Sequence, residues 1–271
     1  MRIPVLTYHG VNIAGNDYNG NDGVAFAADL RLIHALGLRI VPLSWVVDEL
    51  LGTARRDLSR CVALTCDDGS DFDYYDLDHP THGPQRSLFN SLGDFIADSG
   101  AQAHLTCFVI ASPTAREHLD RNCLAGRGWM SDGWWRPALE SGRIAIENHS
   151  WDHNHAAVEL PGIFGMERGS FFPVTTRARA DAEIAIAANA IDAAIAPRRT
   201  SLFCYPYGQS TDYLREDYFP RYQTTHRMRA AMGDGAQPVT EHSERWNLPR
   251  YVCGWHWKSP EELEAILREA L

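Results

Sequence analysis

The sequence predicts an α/β fold in which a parallel sheet closes, or nearly closes, into a barrel. Short apolar segments alternate with longer helical patterns along the chain, which is typical of βα units. The chain has 271 residues, enough for one barrel of this kind. No Gly, Ser or Pro-rich linker divides it. We therefore expect a single catalytic domain over residues 1–271.

Seven apolar segments are the candidate strands, and seven is a number that suggests a barrel rather than a small open sheet. They are residues 3–8, 40–42, 61–65, 103–110, 144–147, 201–205 and 223–225. The candidate helices are 25–36, 44–51, 87–99, 133–141, 177–196, 211–219 and 260–271. The clearest helix is 177–196, because Ala and Ile recur at helical spacing until Pro197 ends the pattern. Two long polar loops, which follow the third and fourth strands, lie where a barrel keeps its active site.

Charge and composition exclude several classes of partner. The formal net charge is -10 at pH 7, which disfavours nucleic acid or an anionic membrane because both would repel such a surface. The N-terminal residues become polar too early for a signal peptide, and no apolar run of about 18 residues occurs. We expect a cytoplasmic protein as the sequence is written, or an extracytoplasmic one if a leader has been removed. The sequence leaves the oligomeric state open.

Cysteine usage indicates neither a disulfide framework nor a zinc knuckle. The six cysteines lack any CxxC pair. Cys66, Cys107 and Cys204 lie in or beside apolar strand segments, so we predict that they are buried as small hydrophobic side chains.

The segment TCDDG places two adjacent carboxylates, Asp67 and Asp68, at the end of the third strand. Adjacent carboxylates are costly there unless a cation compensates them. One carboxylate could bind a metal while its neighbour accepts a proton from the bound water. An ordinary Asp-Asp-Gly turn is the alternative.

Two further segments follow later strands. In HSWDHNH, His149 and His153 are four residues apart, and we expect them on one face of a helical turn, where their ring nitrogens can meet one ion. One carboxylate and two imidazoles would leave coordination positions open, as a catalytic zinc site requires. In YPYG, Gly and Pro predict a tight loop whose backbone N–H groups could face an oxyanion; a plain aromatic turn is the alternative.

The order TCDDG, HSWDH and YPYG, each at a strand end, resembles the polysaccharide deacetylase (NodB-like) family of carbohydrate esterases. PVLTYHGV, AHLTCFV and LPRY add to the resemblance, which covers most of residues 3–251. It implies a distorted (β/α) barrel of about seven strands and a divalent metal, usually zinc.

By position, the resemblance implies that Asp67 is the general base and that Asp68, His149 and His153 bind the metal. The oxyanion donor of the family falls on the backbone N–H of Tyr207. Many members carry an arginine where this chain has Cys204, and we expect Arg250 to take over its role of steadying the base. The family's late leucine-x-histidine motif is replaced by GWHW, so His256 is the predicted general acid.

These residues predict a metal-dependent deacetylase that cleaves amide bonds other than peptide bonds, in an N-acetylated carbohydrate. His9, in TYHG, is a further candidate on the metal side or a structural residue. Two alternatives remain: a hydrolase of a small or cyclic amide on the same scaffold, and a carbohydrate-binding barrel without activity.

Overall fold

The computed structural model describes residues 1–269, and one parallel sheet dominates it. The strands of this sheet are β2 (Val5–Tyr8), β3 (Arg39–Val41), β4 (Cys61–Cys66), β7 (Leu105–Val109), β8 (Ile144–Asn148), β9 (Leu202–Cys204), β10 (Ala230–Met232) and β12 (Tyr251–Val252). They follow the spatial order β10-β9-β8-β7-β4-β2-β12, with β3 paired to the first half of β4. Every pairing within this sheet is parallel.

The sheet curls into an incomplete barrel, which confirms the predicted fold class. Two short antiparallel pairs lie outside it: β1 (Arg2–Ile3) with β11 (Val239–Thr240), and β5 (Leu77–His79) with β6 (Gly83–Gln85). The first predicted strand, 3–8, is interrupted at Pro4, which has no N–H to donate to a neighbouring strand. β1 and β2 therefore pair with different partners.

Helices cover the sheet between the strands. They are α1 (Asp22–Ala35), α2 (Leu43–Leu50), α3 (Leu88–Ser99), α4 (Pro113–Cys123), α5 (Trp135–Glu140), α6 (Arg177–Ala180), α7 (Ile186–Ile195), α8 (Phe219–Arg221), α9 (Gln223–His226) and α10 (Pro260–Arg268). π-helical turns, Asp181–Ala185 and Tyr213–Tyr218, join α6 to α7 and precede α8. Within residues 1–269, no helix has both the length and the apolar character needed to cross a bilayer.

Two sequence predictions about the elements are wrong. Residues 223–225 form helix α9 rather than a strand, and the sheet instead gains β10 a few residues later. The predicted loop over residues 117–133, after the fourth strand, starts inside α4 and is helical as far as Cys123; the N-cap Ser112 of this helix accepts a hydrogen bond from Ala115 N. The end of the last predicted helix, 270–271, lies outside the described residues.

The core fills both faces of the sheet with apolar side chains. Cys66, Cys107 and Cys204 are fully buried, as predicted. Trp134, Trp135 and Trp257 are buried as well, whereas Trp255 is 79% exposed. Most of the tryptophans near the loops therefore pack the barrel, and only Trp255 among these four presents its ring to solvent.

Candidate active site

The aspartate pair lies where β4 ends and the chain crosses the end of β7. Asp67 is buried, whereas the side chain of Asp68 is 25% exposed. Asp68 and Gly69 have left-handed backbone conformations, with φ of 73° and 78°. A Cβ at position 69 would lie 2.6 Å from Val109 Cγ1, so glycine is needed for this crossing. The two neighbouring carboxylates consequently face different surroundings.

The Asp68 carboxylate faces the two histidines of the second motif. Its Oδ1 lies 3.6 Å from His149 Nε2 and 3.8 Å from His153 Nε2. The ligand atoms of a tetrahedral zinc ion lie about 3.4 Å apart, given metal–ligand bonds of about 2.1 Å. The His149 Nδ1 is 3.0 Å from the Cys204 carbonyl oxygen, to which it can only donate, and this leaves the Nε2 lone pair facing Asp68. The donor set fits a divalent ion such as zinc.

The two histidines meet through an irregular turn, and the expected helical turn is wrong. Ser150, His153 and Asn154 have positive φ values of 72°, 62° and 42°. The turn is closed by side chains: Ser150 N donates to Asn148 Oδ1 at 2.9 Å, and His153 N donates to Ser150 Oγ at 2.9 Å. Burial, and then the neighbouring charge of His149, hold the pKa of His153 well below its ordinary value. A neutral imidazole is the form that binds metal.

The π-helical turn Asp181–Ala185 contacts the histidine turn through hydrogen bonds. The sequence did not predict this contact. The Ile184 carbonyl accepts a hydrogen bond of 2.9 Å from Asn148 Nδ2. The fully buried carboxylate of Glu183 lies 3.5 Å from Asp152 N. Asp152 in turn accepts from Asn154 N at 2.9 Å and pairs with Arg168 at 3.0 Å. Glu183 is the one glutamate among the alanines and isoleucines of segment 177–196, and nothing in that pattern indicates its burial or its partner.

Asp67 is held by a buried ion pair with Arg250. The guanidinium donates from Nη1 to Oδ1 at 2.9 Å and from Nη2 to Oδ2 at 2.8 Å. Cys204 Sγ lies 3.3 Å from Asp67 Oδ2 and 2.9 Å from Arg250 Nη2. Burial raises the pKa of Asp67, but the Arg250 charge and hydrogen bonds outweigh it, so the pKa lies below its ordinary value. Arg250 thus reaches the carboxylate beside Cys204, where the sequence led us to expect it.

The third motif forms a tight turn over Pro206–Gly208, closed by hydrogen bonds of 3.0 Å from Gly208 N to the Tyr205 carbonyl and from Gln209 N to the Pro206 carbonyl. Tyr207 has φ of 58°, and its ring packs edge-on against His153 at 4.4 Å between centroids. Burial raises the pKa of the Tyr207 hydroxyl to about 12. A Cβ at Gly208 would lie 2.3 Å from the Asp234 side chain, so only glycine fits at this position. The backbone N–H that the resemblance assigns to the oxyanion is that of Tyr207, and it lies in this turn beside His153.

The sequence model of the polysaccharide deacetylase family matches residues 54–218, well over half of the chain. The chain belongs to this family. The matched region contains all three motifs but ends before Arg250 and His256. A search of curated proteins found no match.

Solved structures with the same fold include other proteins described as deacetylases. A Bacillus cereus polysaccharide deacetylase aligns with a TM-score of 0.65 and 15% identity, over 98% of this chain and 69% of its own. A Streptococcus pyogenes deacetylase, PplD, in complex with acetate, aligns with a TM-score of 0.64 and 15% identity, over 98% of both chains. IcaB from Ammonifex degensii aligns with a TM-score of 0.64 and 17% identity, over 98% of this chain and 97% of its own. At identities of 15–17%, these alignments show that this deacetylase-family chain shares the fold of the three proteins.

Two histidines outside the group Asp68, His149 and His153 are further candidates in this deacetylase-family chain. His256 Nδ1 accepts a hydrogen bond from Val252 N at 2.8 Å, and burial lowers its pKa, against the effect of the Asp234 charge. Within residues 1–269, no hydrogen bond or ion pair joins His256 to the aspartate pair. His9 Nδ1 lies 3.9 Å from Asp22 Oδ2, and the preceding Tyr8 carbonyl accepts a hydrogen bond of 3.1 Å from Asp67 N.

Proposed function

We propose that the protein is a metal-dependent hydrolase that removes N-acetyl or related acyl groups from an amino-sugar polymer or oligosaccharide. The observation that carries the proposal is the convergence of Asp68, His149 and His153 beside an ionised, ion-paired Asp67. Three protein ligands leave a position for water or substrate. Membership of the polysaccharide deacetylase family supports the carbohydrate substrate.

Asp68, His149 and His153 would hold the divalent ion, and zinc is the metal we expect. When bound, such an ion supplies a Lewis acid that polarises the amide carbonyl and acidifies water. Asp67 is the base in this proposal, and its ion pair with Arg250 keeps it ionised and oriented to accept a proton from the attacking water. The Tyr207 backbone N–H would donate to the developing oxyanion.

In the reaction, the water oxygen bonds to the carbonyl carbon and the carbon–nitrogen bond breaks. The products are a carboxylate and a free amine, and the amine needs a proton as it leaves. His256 is the donor that the sequence suggests. His9 is a second candidate, because it follows Tyr8, whose carbonyl accepts a hydrogen bond of 3.1 Å from Asp67 N, and because Asp22 Oδ2, 3.9 Å from its ring, can orient it.

The test compares Asp67→Asn with His153→Ala in purified protein supplied with zinc or cobalt. We expect Asp67→Asn to retain the metal, measured by elemental analysis, and to lose about 10²–10⁴-fold of acetate release from chitooligosaccharides, the usual contribution of a general base. We expect His153→Ala to lose the metal. Full activity of Asp67→Asn, or unchanged metal in His153→Ala, would contradict the assignment. Native protein that binds no metal and hydrolyses no amide would instead be a carbohydrate-binding barrel.

The proton donor is tested separately with His9→Ala and His256→Ala. The true donor should lower kcat on N-acetylated sugars by about 10²–10⁴-fold. It should also have a much smaller effect on an aryl acetate ester, whose leaving group departs without a proton. A variant that slows both substrates equally would lack this signature of an acid.

A further inference from the structure

A hollow of about 290 Å³ opens directly beside the Asp68 carboxylate. Three of its nine lining residues are polar, namely Asn12, Asp68 and His155. The other six are aliphatic or sulfur-containing. The hollow therefore combines a polar side, at the proposed metal ligand, with walls that offer few hydrogen-bonding groups.

The apolar wall is a fixed part of the fold. Ile110, Leu119 and Met130 are at most 6% exposed, and they pack together in one cluster with Ala115 and Val158. Leu119 comes from α4, and Ile110 follows β7 directly. A wall built from buried side chains on a helix and a strand end keeps its shape when a ligand enters.

We infer that this hollow binds the acyl chain of the substrate and that the enzyme accepts N-acyl groups longer than acetyl. The inference rests on the proposed function, because the acyl carbonyl must reach the ion that Asp68 would hold. The carbon chain attached to that carbonyl then begins at Asp68, where the hollow opens. An aliphatic chain of a few carbons is the occupant whose chemistry matches the walls.

Size and polarity both favour this occupant over the two alternatives. A water molecule takes up about 30 Å³ in the liquid, and the methyl of an acetyl group is of similar size, so acetyl would leave most of the hollow empty. A sugar ring would bring several hydroxyl groups against apolar walls. Each hydroxyl would lose its hydrogen bonds to water there without gaining a partner, which opposes binding of a sugar.

The experiment measures release of carboxylic acid from glucosamine oligosaccharides that carry N-acetyl, N-butyryl or N-hexanoyl groups, with zinc or cobalt supplied. Each buried methylene contributes about fourfold in binding, equivalent to about 0.8 kcal/mol. Butyryl carries two more methylenes than acetyl, so we expect kcat/KM to rise by about 16-fold from acetyl to butyryl. A decline in kcat/KM with each added methylene, with acetyl the best substrate, would overturn the inference and leave the proposed function intact. Absence of hydrolysis of the whole series would overturn both.

A pair of leucine variants locates the effect in the hollow. Leu124 is half-buried and lines the hollow, so Leu124→Phe should fill part of it and lower the ratio of butyryl to acetyl kcat/KM by about tenfold. Leu160 is 47% exposed on a different loop, and Leu160→Phe should leave the ratio as it is in the native chain. An equal ratio in all three proteins would place the acyl chain elsewhere and overturn the inference.

Discussion

The two halves of the site are held in position by different means. On one side, Asp67 leaves the end of β4 and is fixed by a two-point ion pair with a fully buried arginine. On the other side, His149 and His153 lie on an irregular turn that depends on Asn148, Ser150 and Glu183 for its shape. The sheet positions the proposed base, whereas a network of side chains positions the proposed metal ligands.

Because the supports differ, we expect that a substitution can change the metal affinity without affecting Asp67, and the reverse. A change beneath the histidine turn should alter metal affinity with little effect on Asp67. A change at Arg250 should act on Asp67 and on folding, with little effect on the distances among the metal ligands. The predictions that follow use this separation.

The largest effect is expected from removing the counterion of Asp67. Arg250→Met leaves a buried carboxylate without its partner, which should lower the free energy of unfolding by about 3–5 kcal/mol in urea denaturation. The matched control is Arg268→Met, which removes an exposed ion pair with Glu264 on α10 and should cost less than about 1 kcal/mol. Equal costs for the two variants would show that the Arg250 ion pair is not what holds Asp67 in the fold.

The next largest effect is expected on zinc affinity, from the loss of Glu183, whose carboxylate lies 3.5 Å from Asp152 N in the histidine turn. Glu183→Ala should weaken zinc binding by about 10–100-fold, the usual cost of losing a group that orients metal ligands. Glu183→Gln, which keeps an oxygen for the Asp152 N–H, should recover most of the affinity. Titration with zinc against a competing chelator measures both variants.

The control for Glu183 lies in the other π-helical turn. Glu216 is exposed there, and Glu216→Ala should leave zinc affinity at the native value. If Glu216→Ala and Glu183→Ala weaken zinc binding alike, the effect comes from a general loss of stability. The separation between the two halves of the site would then fail.

The smallest effect concerns pH and the opposite end of the sheet. Burial lowers the pKa of His104, just before β7, to about 4. Between its ordinary pKa of about 6.5 and that value, the unfolded chain binds a proton that the folded chain does not, so stability is lost as the pH falls through this window. We expect a loss of about 2 kcal/mol between pH 7 and pH 4.5 that His104→Gln removes. Exposed His242 gives the control, His242→Gln, whose pH profile should match the native one.

The sequence predicted the motif-bearing strands well because each is a continuous apolar run that ends in polar residues. β4 and β8 were placed within a residue or two. It failed at β10, because the three residues Ala-Ala-Met lack the β-branched side chains that mark a strand. The preceding Gln-Thr-Thr segment has the residues favoured in strands yet forms α9.

The candidate site shows the same division. Asp67, Asp68, His149 and His153 follow strand ends, so parallel strands bring them to one edge, and the sequence could indicate this. The sequence does not predict the irregular turn that joins the histidines, because a spacing of four residues fits both a helix and a turn with three positive φ angles. Glu183 could not be found, because only the π-helical turn directs it toward Asp152.

The ion pair between Asp67 and Arg250 joins residues that are 183 positions apart. A ribosome therefore completes all three motifs long before it adds the cation that the buried carboxylate requires. Until then, burial of Asp67 would leave its charge without a partner, which opposes closure of the barrel around the site. A fragment limited to residues 54–218 would carry every motif and still lack the charge balance of the finished enzyme.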